Sequence, residues 1–288
     1  DEAFLSTQLG ARRKEIRLVA ADLLSRLPNS SYLQTLYQEA RQILRYAQQQ
    51  WTLHLPKRVP SSAKNLGIET KGSRQPGGLA LNWLVQLLMR IPLSYWSQAS
   101  QQVPTRILRS WLALPHGLAL VQAAAASLLR HPDEEWTDAL IGYWLETNNE
   151  NLWRQPTAKK VLAQASATTF NDTLLPWLLQ YGPLVPEDSL AAYWLSLGAH
   201  PWSPQLSRII IEGFCDLVRE RHTQHWDLYH YQRIFQAAAY QSDTSIFSTL
   251  RQNWPSGGSG LGRWSVEMEK LLQTLHFRLE MQKALADD

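Results

Sequence analysis

The sequence predicts an all-α fold in which helix pairs stack into a solenoid. The first observation is residues 11–27, whose apolar residues recur at helical spacing along one stripe. The second is a series of helical patterns from residue 79 onward, separated by prolines at the starts of short connections. The stripe of residues 11–27 comprises Ile16, Val19, Ala20, Leu23, Leu24 and Leu27.

The first helix also has the composition of a helical repeat. Its Arg-x-x-x-Arg-x-x-Ala-Ala-x-Leu-Leu pattern begins at Arg13 and resembles the second helix of a HEAT-type repeat. Such a helix pair cannot bury its apolar face alone and stacks on its neighbours. We therefore expect a single HEAT-like α-solenoid over residues 1–288, with possible sub-blocks 1–55, 79–200 and 201–288.

A second helix is predicted after the break at Pro28–Ser31, from Leu33 to Ala47, so that the first two helices form a hairpin. Trp51–Pro56 alternates briefly and allows at most a short β segment near residues 52–55. Residues 56–78 contain three prolines and four glycines, and we interpret them as a long irregular loop.

Further helices follow along the rest of the chain, with Asp133, Thr169, Asn171 and Ser203 as candidate N-caps. Residues 255–262 have the composition of a flexible linker before a terminal helix that we expect to cap the stack. The predicted helices are 79–91, 92–100, 104–114, 117–130, 133–147, 156–167, 172–180, 186–197, 204–221, 226–241, 243–254 and 264–285.

Composition favours a folded chain, since 44% of the 288 residues are hydrophobic and 18% are charged. Thirteen Trp residues are present, and we expect them to pack between helices rather than to form a ligand cage. The Trp residues that recur in helical patterns are Trp83, Trp96, Trp111, Trp136, Trp144, Trp177, Trp194 and Trp202.

Cysteine usage and hydropathy favour a cytoplasmic protein. The single Cys215 lies in an apolar helical pattern, where we expect it to be buried, and it has no intramolecular partner for a disulfide. No apolar run approaches the length of a membrane span. The chain begins with Asp, so we expect a piece of a longer protein, and the lack of a leader is correspondingly weak evidence.

Charge is divided unevenly along the chain. Residues 1–110 contain fifteen Lys or Arg and six Asp or Glu, a balance of +9, which leaves −6 for residues 111–288. A basic half suits an acidic protein, a nucleic-acid backbone or an anionic membrane surface, although a solvated face is the simpler explanation. The residues we expect to bind a partner are Arg12, Arg13, Arg17, Lys57, Arg58, Lys64, Lys71 and Arg74.

Two motifs resemble chemical sites without the context that such sites need. Residues 222–230 contain His222, His225, Asp227 and His230, but a second separated ligand pair is missing, so we favour turn histidines over a zinc site. Residues 258–263 are glycine-rich before a helix, yet no strand or Walker lysine accompanies them. We therefore expect no catalytic residue, no metal and no cofactor, and regard an enzyme as the minority hypothesis.

Three stretches together resemble a bacterial family of unknown function. They are residues 12–28, residues 77–84 with Ile91–Trp96, and residues 264–284. Genes of that family sit beside those for a SWIM zinc-finger protein, a MoxR-type AAA ATPase and a von Willebrand A-domain protein. The resemblance implies an adaptor that works with an ATP-driven remodelling system, and it supplies no catalytic residues.

These observations lead to a non-enzymatic helical-repeat scaffold that binds a protein partner, with the AAA ATPase or the von Willebrand A-domain protein as candidates. The alternative is a nucleic-acid-binding solenoid that uses the basic N-terminal half against phosphates.

Overall fold

The computed structural model describes residues 2–68, 78–147, 149–182, 189–220, 228–253 and 262–286. The described residues form helices together with one small two-stranded sheet, so the all-α prediction is confirmed. The chain divides into two compact units. The first comprises residues 1–143 and 154–161, and the second comprises residues 144–153 and 162–288.

The first unit is built from short helices around a β-hairpin. Helix α1, which the sequence did not predict, packs on α2, and α4 packs on both α3 and α7. The elements are α1 (Glu2–Gln8), α2 (Lys14–Arg26), α3 (Ser31–Ile43), β1 (Leu44–Ala47), β2 (Gln50–Leu53), α4 (Gly78–Leu88), α5 (Ser94–Ser100), α6 (Pro104–Leu112), α7 (Gly117–Leu128) and α8 (Glu134–Thr147), the last continuing into the second unit.

Helix α3 ends earlier than its apolar spacing predicts, because the chain turns into the hairpin. Ser30 caps its start by accepting a hydrogen bond from the backbone N–H of Leu33 at 3.1 Å. Leu44 then pairs with Leu53 in antiparallel register, and the turn places Gln48 and Gln49 at φ 50° and 61°. The positive φ angles of these two residues are tolerated because the hairpin places the Trp51 side chain in the core.

The predicted irregular loop at 56–78 is partly wrong. Residues 61–66 form a 3₁₀ helix, and Ala63, Leu66 and Ile68 are buried in the core. The Tyr32 hydroxyl donates a hydrogen bond to the Leu66 carbonyl at 2.8 Å, which fixes this segment against α3. Residues 69–77 lie outside the described residues, and α4 begins at Gly78.

Tryptophans form the centre of the first unit, as the sequence predicts. Trp111 has ring centroids of Trp51, Trp96 and Trp136 at 5.7, 5.6 and 5.9 Å. These separations are those of edge-to-face and tilted aromatic pairs, so the rings interdigitate between helices. Trp177 is less completely buried than these residues, and its ring lies 4.9 Å from that of Tyr181.

The second unit continues the helical architecture. Here α11 packs on α13, α12 on α14, and α14 on α16. Contacts between alternate helices are expected where helix pairs stack in layers. The elements are α9 (Glu150–Trp153), α10 (Pro156–Gln164, shared with the first unit), α11 (Ala167–Tyr181), α12 (Leu190–Ser196), α13 (Pro204–Glu220), α14 (Leu228–Gln241), a 3₁₀ turn (Thr244–Ile246), α15 (Phe247–Asn253) and α16 (Gly262–Ala286).

Two of the four predicted N-caps are confirmed. Asp133 and Ser203 accept hydrogen bonds from the backbone N–H groups of Trp136 and Leu206. Thr169 and Asn171 are not caps, because α11 begins earlier, at the Ser166 cap. The Asn171 side chain instead donates to the carbonyl of Ala167 and to that of Pro201.

Two expectations about hydropathy can also be compared with the structure. Cys215 is buried on α13, as predicted. Within the described ranges, we find no helix that combines the length and the apolar character of a membrane span. The HEAT-like solenoid and its single-domain extent stay predictions.

Candidate functional site

Helix α2 has a buried side and an exposed apolar side. Ala20, Ala21 and Leu24 are at most 2% exposed, and Gly67 explains part of that burial. A Cβ on Gly67 would lie 2.7 Å from the Ala21 Cβ, so the segment after the 3₁₀ helix approaches α2 very closely. The glycine is also in the left-handed region, at φ 62°, which makes it doubly suited to this contact.

The other part of the predicted stripe faces solvent. Ile16, Val19 and Leu23 are 40%, 59% and 44% exposed, so the neighbouring elements cover only part of the stripe. Their spacing of three and four residues places them on one face of the helix. We call these three residues the α2 stripe.

A salt-bridge network lies beside this stripe. Asp22 Oδ1 accepts a hydrogen bond from Arg130 Nε at 2.9 Å, and Asp22 Oδ2 lies 3.0 Å from Arg26 Nη2. Burial alone would raise the pKa of Asp22, but the hydrogen bond and charge of Arg130, together with the charge of Arg26, hold it below the usual range. Asp22 is therefore an ionised bridge between α2 and the end of α7.

A third guanidinium lies nearby and is nearly sealed from solvent. Arg90 is 7% exposed, and its Nη1 donates to the Gln86 carbonyl at 2.8 Å, where it caps the end of α4. Its Nε is buried without a hydrogen-bond partner. Burial lowers the pKa of Arg90, with the charge of Arg130 acting in the same direction and Asp22 opposing it. We call Arg26, Arg90 and Arg130 the arginine cluster.

Two further titratable groups adjoin the cluster. Burial raises the pKa of Tyr32 to about 12, so its hydroxyl stays protonated at neutral pH. Burial also lowers the pKa of His131, whose Nε2 lies 2.9 Å from the Arg90 carbonyl. That contact assigns the proton of the neutral imidazole to Nε2, since a carbonyl can only accept.

The predicted partner-binding residues divide into two described groups. Arg12 and Arg13 are exposed immediately before α2, and Lys57 and Arg58 are exposed after β2. Arg17 is less available, because its Nη1 donates to the carbonyls of Ala11 and Arg12 at 2.8 and 2.9 Å. It therefore fixes the start of α2 as well as carrying charge.

Several candidate residues belong to segments or side chains outside the described part of the chain. Lys71 and Arg74, and also His222, His225 and Asp227, lie outside the described residues, as do the side chains of Lys64 and His230. In the part of the chain that the structure describes, no group of three or more His, Cys, Asp or Glu side chains is placed to hold a metal ion.

Sequence reasoning did not identify the arginine cluster. Asp22 and Arg26 have the i,i+4 spacing of a helical ion pair, which is a readable local signal. Arg130 is 108 residues from Asp22, and no local pattern joins them. Arg90 follows an apolar helix and would ordinarily be read as a solvated C-terminal cation.

Comparison with known proteins assigns the family but no activity. Neither the curated proteins nor the solved structures gave a match. A family model matches residues 1–285, almost the full length of the chain. The resemblance to a family of unknown function is thereby confirmed, and the chain belongs to the family of unknown function DUF5691.

Proposed function

We propose that this protein is a non-enzymatic helical scaffold or adaptor, and that it binds a protein partner through the α2 stripe. The observation that carries the proposal is the exposure of Ile16, Val19 and Leu23 on one helix face. Contiguous exposed apolar side chains with a polar rim are typical of protein-binding sites.

A partner that covers the α2 stripe would remove more of these apolar side chains from water. Complete burial of a Val, Leu or Ile side chain contributes about 1.5–3 kcal/mol relative to full exposure. The three residues of the stripe are already partly covered, so their further burial by a partner contributes only a fraction of this free energy. Their i, i+3, i+7 arrangement suits a helix laid along α2, because helix-in-groove recognition uses anchors at the same spacing.

Family resemblance guides the choice of candidate partners. We take the MoxR-type AAA ATPase as the first candidate and the von Willebrand A-domain protein as the second. An adaptor needs a surface that is separate from its folding core, and the α2 stripe meets this condition because Ala20, Ala21 and Leu24 on the adjacent side of the helix supply the core contacts.

The test is affinity purification of the tagged protein from its native host, with nuclease treatment and at low and moderate salt. We expect a candidate partner to be recovered with the wild type and lost with Val19→Glu, which places a charge on the stripe. Leu179→Glu is the matched control, since Leu179 is 69% exposed on α11 in the other unit. Retention of the partner by Val19→Glu would contradict the proposal.

The same experiment tests the alternative function. The +9 balance of residues 1–110 is the basis for nucleic-acid binding. Contacts with phosphates would weaken steeply as salt increases, because they release counterions. Loss of every partner on nuclease treatment, together with salt-dependent binding of duplex DNA or RNA by the purified protein, would favour the nucleic-acid hypothesis.

A further inference from the structure

The arginine cluster borders the α2 stripe on the same helix. Asp22 follows Val19 by three residues, and Arg26 follows Leu23 by three, so each lies one turn along from a stripe residue. Arg130 reaches the same position from the end of α7 through its hydrogen bond to Asp22. A ligand that covers the stripe therefore contacts these charged side chains along one edge of the stripe.

Charges in this cluster are not balanced. Asp22 is the single carboxylate that the described residues place within ion-pair distance of Arg26 or Arg130, and Arg90 has none. Three guanidinium groups thus share one carboxylate, an excess of two positive charges. Burial of an unpaired guanidinium is unfavourable, so an additional anionic group nearby would be stabilised.

Exposure shows where such a group could enter. The side chain of Arg26 is 54% exposed and that of Arg130 is 23% exposed, whereas Arg90 is nearly sealed. Both Asp22 oxygens already accept hydrogen bonds from Arg26 and Arg130. Each guanidinium has further N–H donors, because the fork carries five, and a second carboxylate can use them.

We propose that the α2 stripe receives an amphipathic helix whose apolar ridge is flanked by carboxylates, and that those carboxylates bind Arg26 and Arg130 beside Asp22. This inference rests on the proposed function and specifies the chemistry of the partner. Arg90 contributes through its charge, since its buried Nε is not accessible to a ligand. Electrostatic complementarity of this kind sets specificity and orientation more than total affinity.

The experiment uses a displayed library of helical peptides as the probe. Each peptide carries Leu at i, i+3 and i+7, with the flanking positions randomised among Glu, Gln and Lys. The library is selected on the wild-type protein and, in parallel, on Val19→Glu. Sequencing then gives the fraction of Glu at the flanks in each selected pool.

We expect the wild-type pool to be enriched about threefold in flanking Glu, the size expected of one partly exposed ion pair. The enrichment should decrease with Arg26→Gln, because only the less exposed Arg130 then remains to bind a flanking carboxylate. It should persist with Arg106→Gln, a control in which an exposed arginine on α6 is replaced. Asp22→Asn should increase the enrichment, because both arginines then lack their internal carboxylate. Thermal melting confirms that each variant is folded.

The outcomes separate the two claims. Peptides that bind the wild type but not Val19→Glu, with no preference at the flanks or a preference for Lys, would overturn the acidic partner and leave docking on α2 intact. The absence of any pool that prefers the wild type over Val19→Glu would overturn docking on the stripe itself.

Discussion

His131 is the residue whose protonation the structure links most directly to stability. Burial lowers its pKa below 6.5, the positive charges of Arg130 and Arg26 act in the same direction, and the Arg90 carbonyl and Asp22 oppose them. The unfolded chain therefore takes up this proton first as the pH falls. The contribution of His131 to stability is complete above about pH 6.5 and is lost as the pH falls toward the folded pKa.

We predict that the melting temperature of the wild type decreases between about pH 7.5 and pH 5.5, and that the decrease is smaller in His131→Gln. Glutamine keeps an N–H donor for the Arg90 carbonyl but does not titrate. Differential scanning calorimetry at several pH values measures the effect. Equal pH dependence in the two proteins would show that His131 is not the group responsible.

For individual residues, the sequence predicts the surroundings of apolar side chains better than those of charged ones. Buried tryptophans and Cys215 follow from their apolar neighbours, since such residues are rarely solvated within helical patterns. Arg90 and Arg130 could not be assigned, because a cation at the end of a helix is usually exposed. The contacts that bury or pair them come from α2 and α3, which are distant in sequence.

At the level of elements, helix α2 has apolar residues on both a buried and an exposed side. The apolar positions of residues 16–27 are spread over more of the helix circumference than one neighbour can cover. Periodicity predicts the helix, but it does not say which edge of the apolar arc is covered. The structure covers Ala20, Ala21 and Leu24 and leaves Val19 exposed.

Two substitutions test this division. Leu24→Ala should destabilise the protein by about 2–5 kcal/mol, because Leu24 is fully buried and its truncation leaves a cavity. Val19→Ala should change stability by less than about 0.5 kcal/mol, as is usual for an exposed position. Urea unfolding of both variants measures the difference. Comparable destabilisation by the two would mean that α2 is rotated relative to this description.

The limits of helices were harder to predict than their existence. Apolar spacing continues past Ile43, yet the chain forms the hairpin there because Trp51 packs against Trp96 and Trp111. Thr169 and Ser166 are both residue types that cap helices, so the sequence leaves the start of α11 ambiguous. Tertiary contacts determine where α3 ends and where α11 begins.

For the whole molecule, the all-α class could be predicted because helical periodicity recurs from end to end. The charge asymmetry between residues 1–110 and 111–288 could likewise be counted. The exposed stripe could not be predicted, since it depends on which helices cover α2. The proposed function therefore rests on a surface that can be identified only once the helices are packed.

The most direct measurement is the rate of maleimide labelling of Val19→Cys. Cys215 is the one natural cysteine and is buried, so the introduced thiol is the accessible one. Labelling is compared between the purified protein and nuclease-treated extract of the native host, with Arg106→Cys as control. We predict that labelling at position 19 is slower in the extract while labelling at position 106 is unchanged, because a partner that covers the stripe excludes solvent and reagent from it. Equal labelling at position 19 in both preparations would contradict docking on α2.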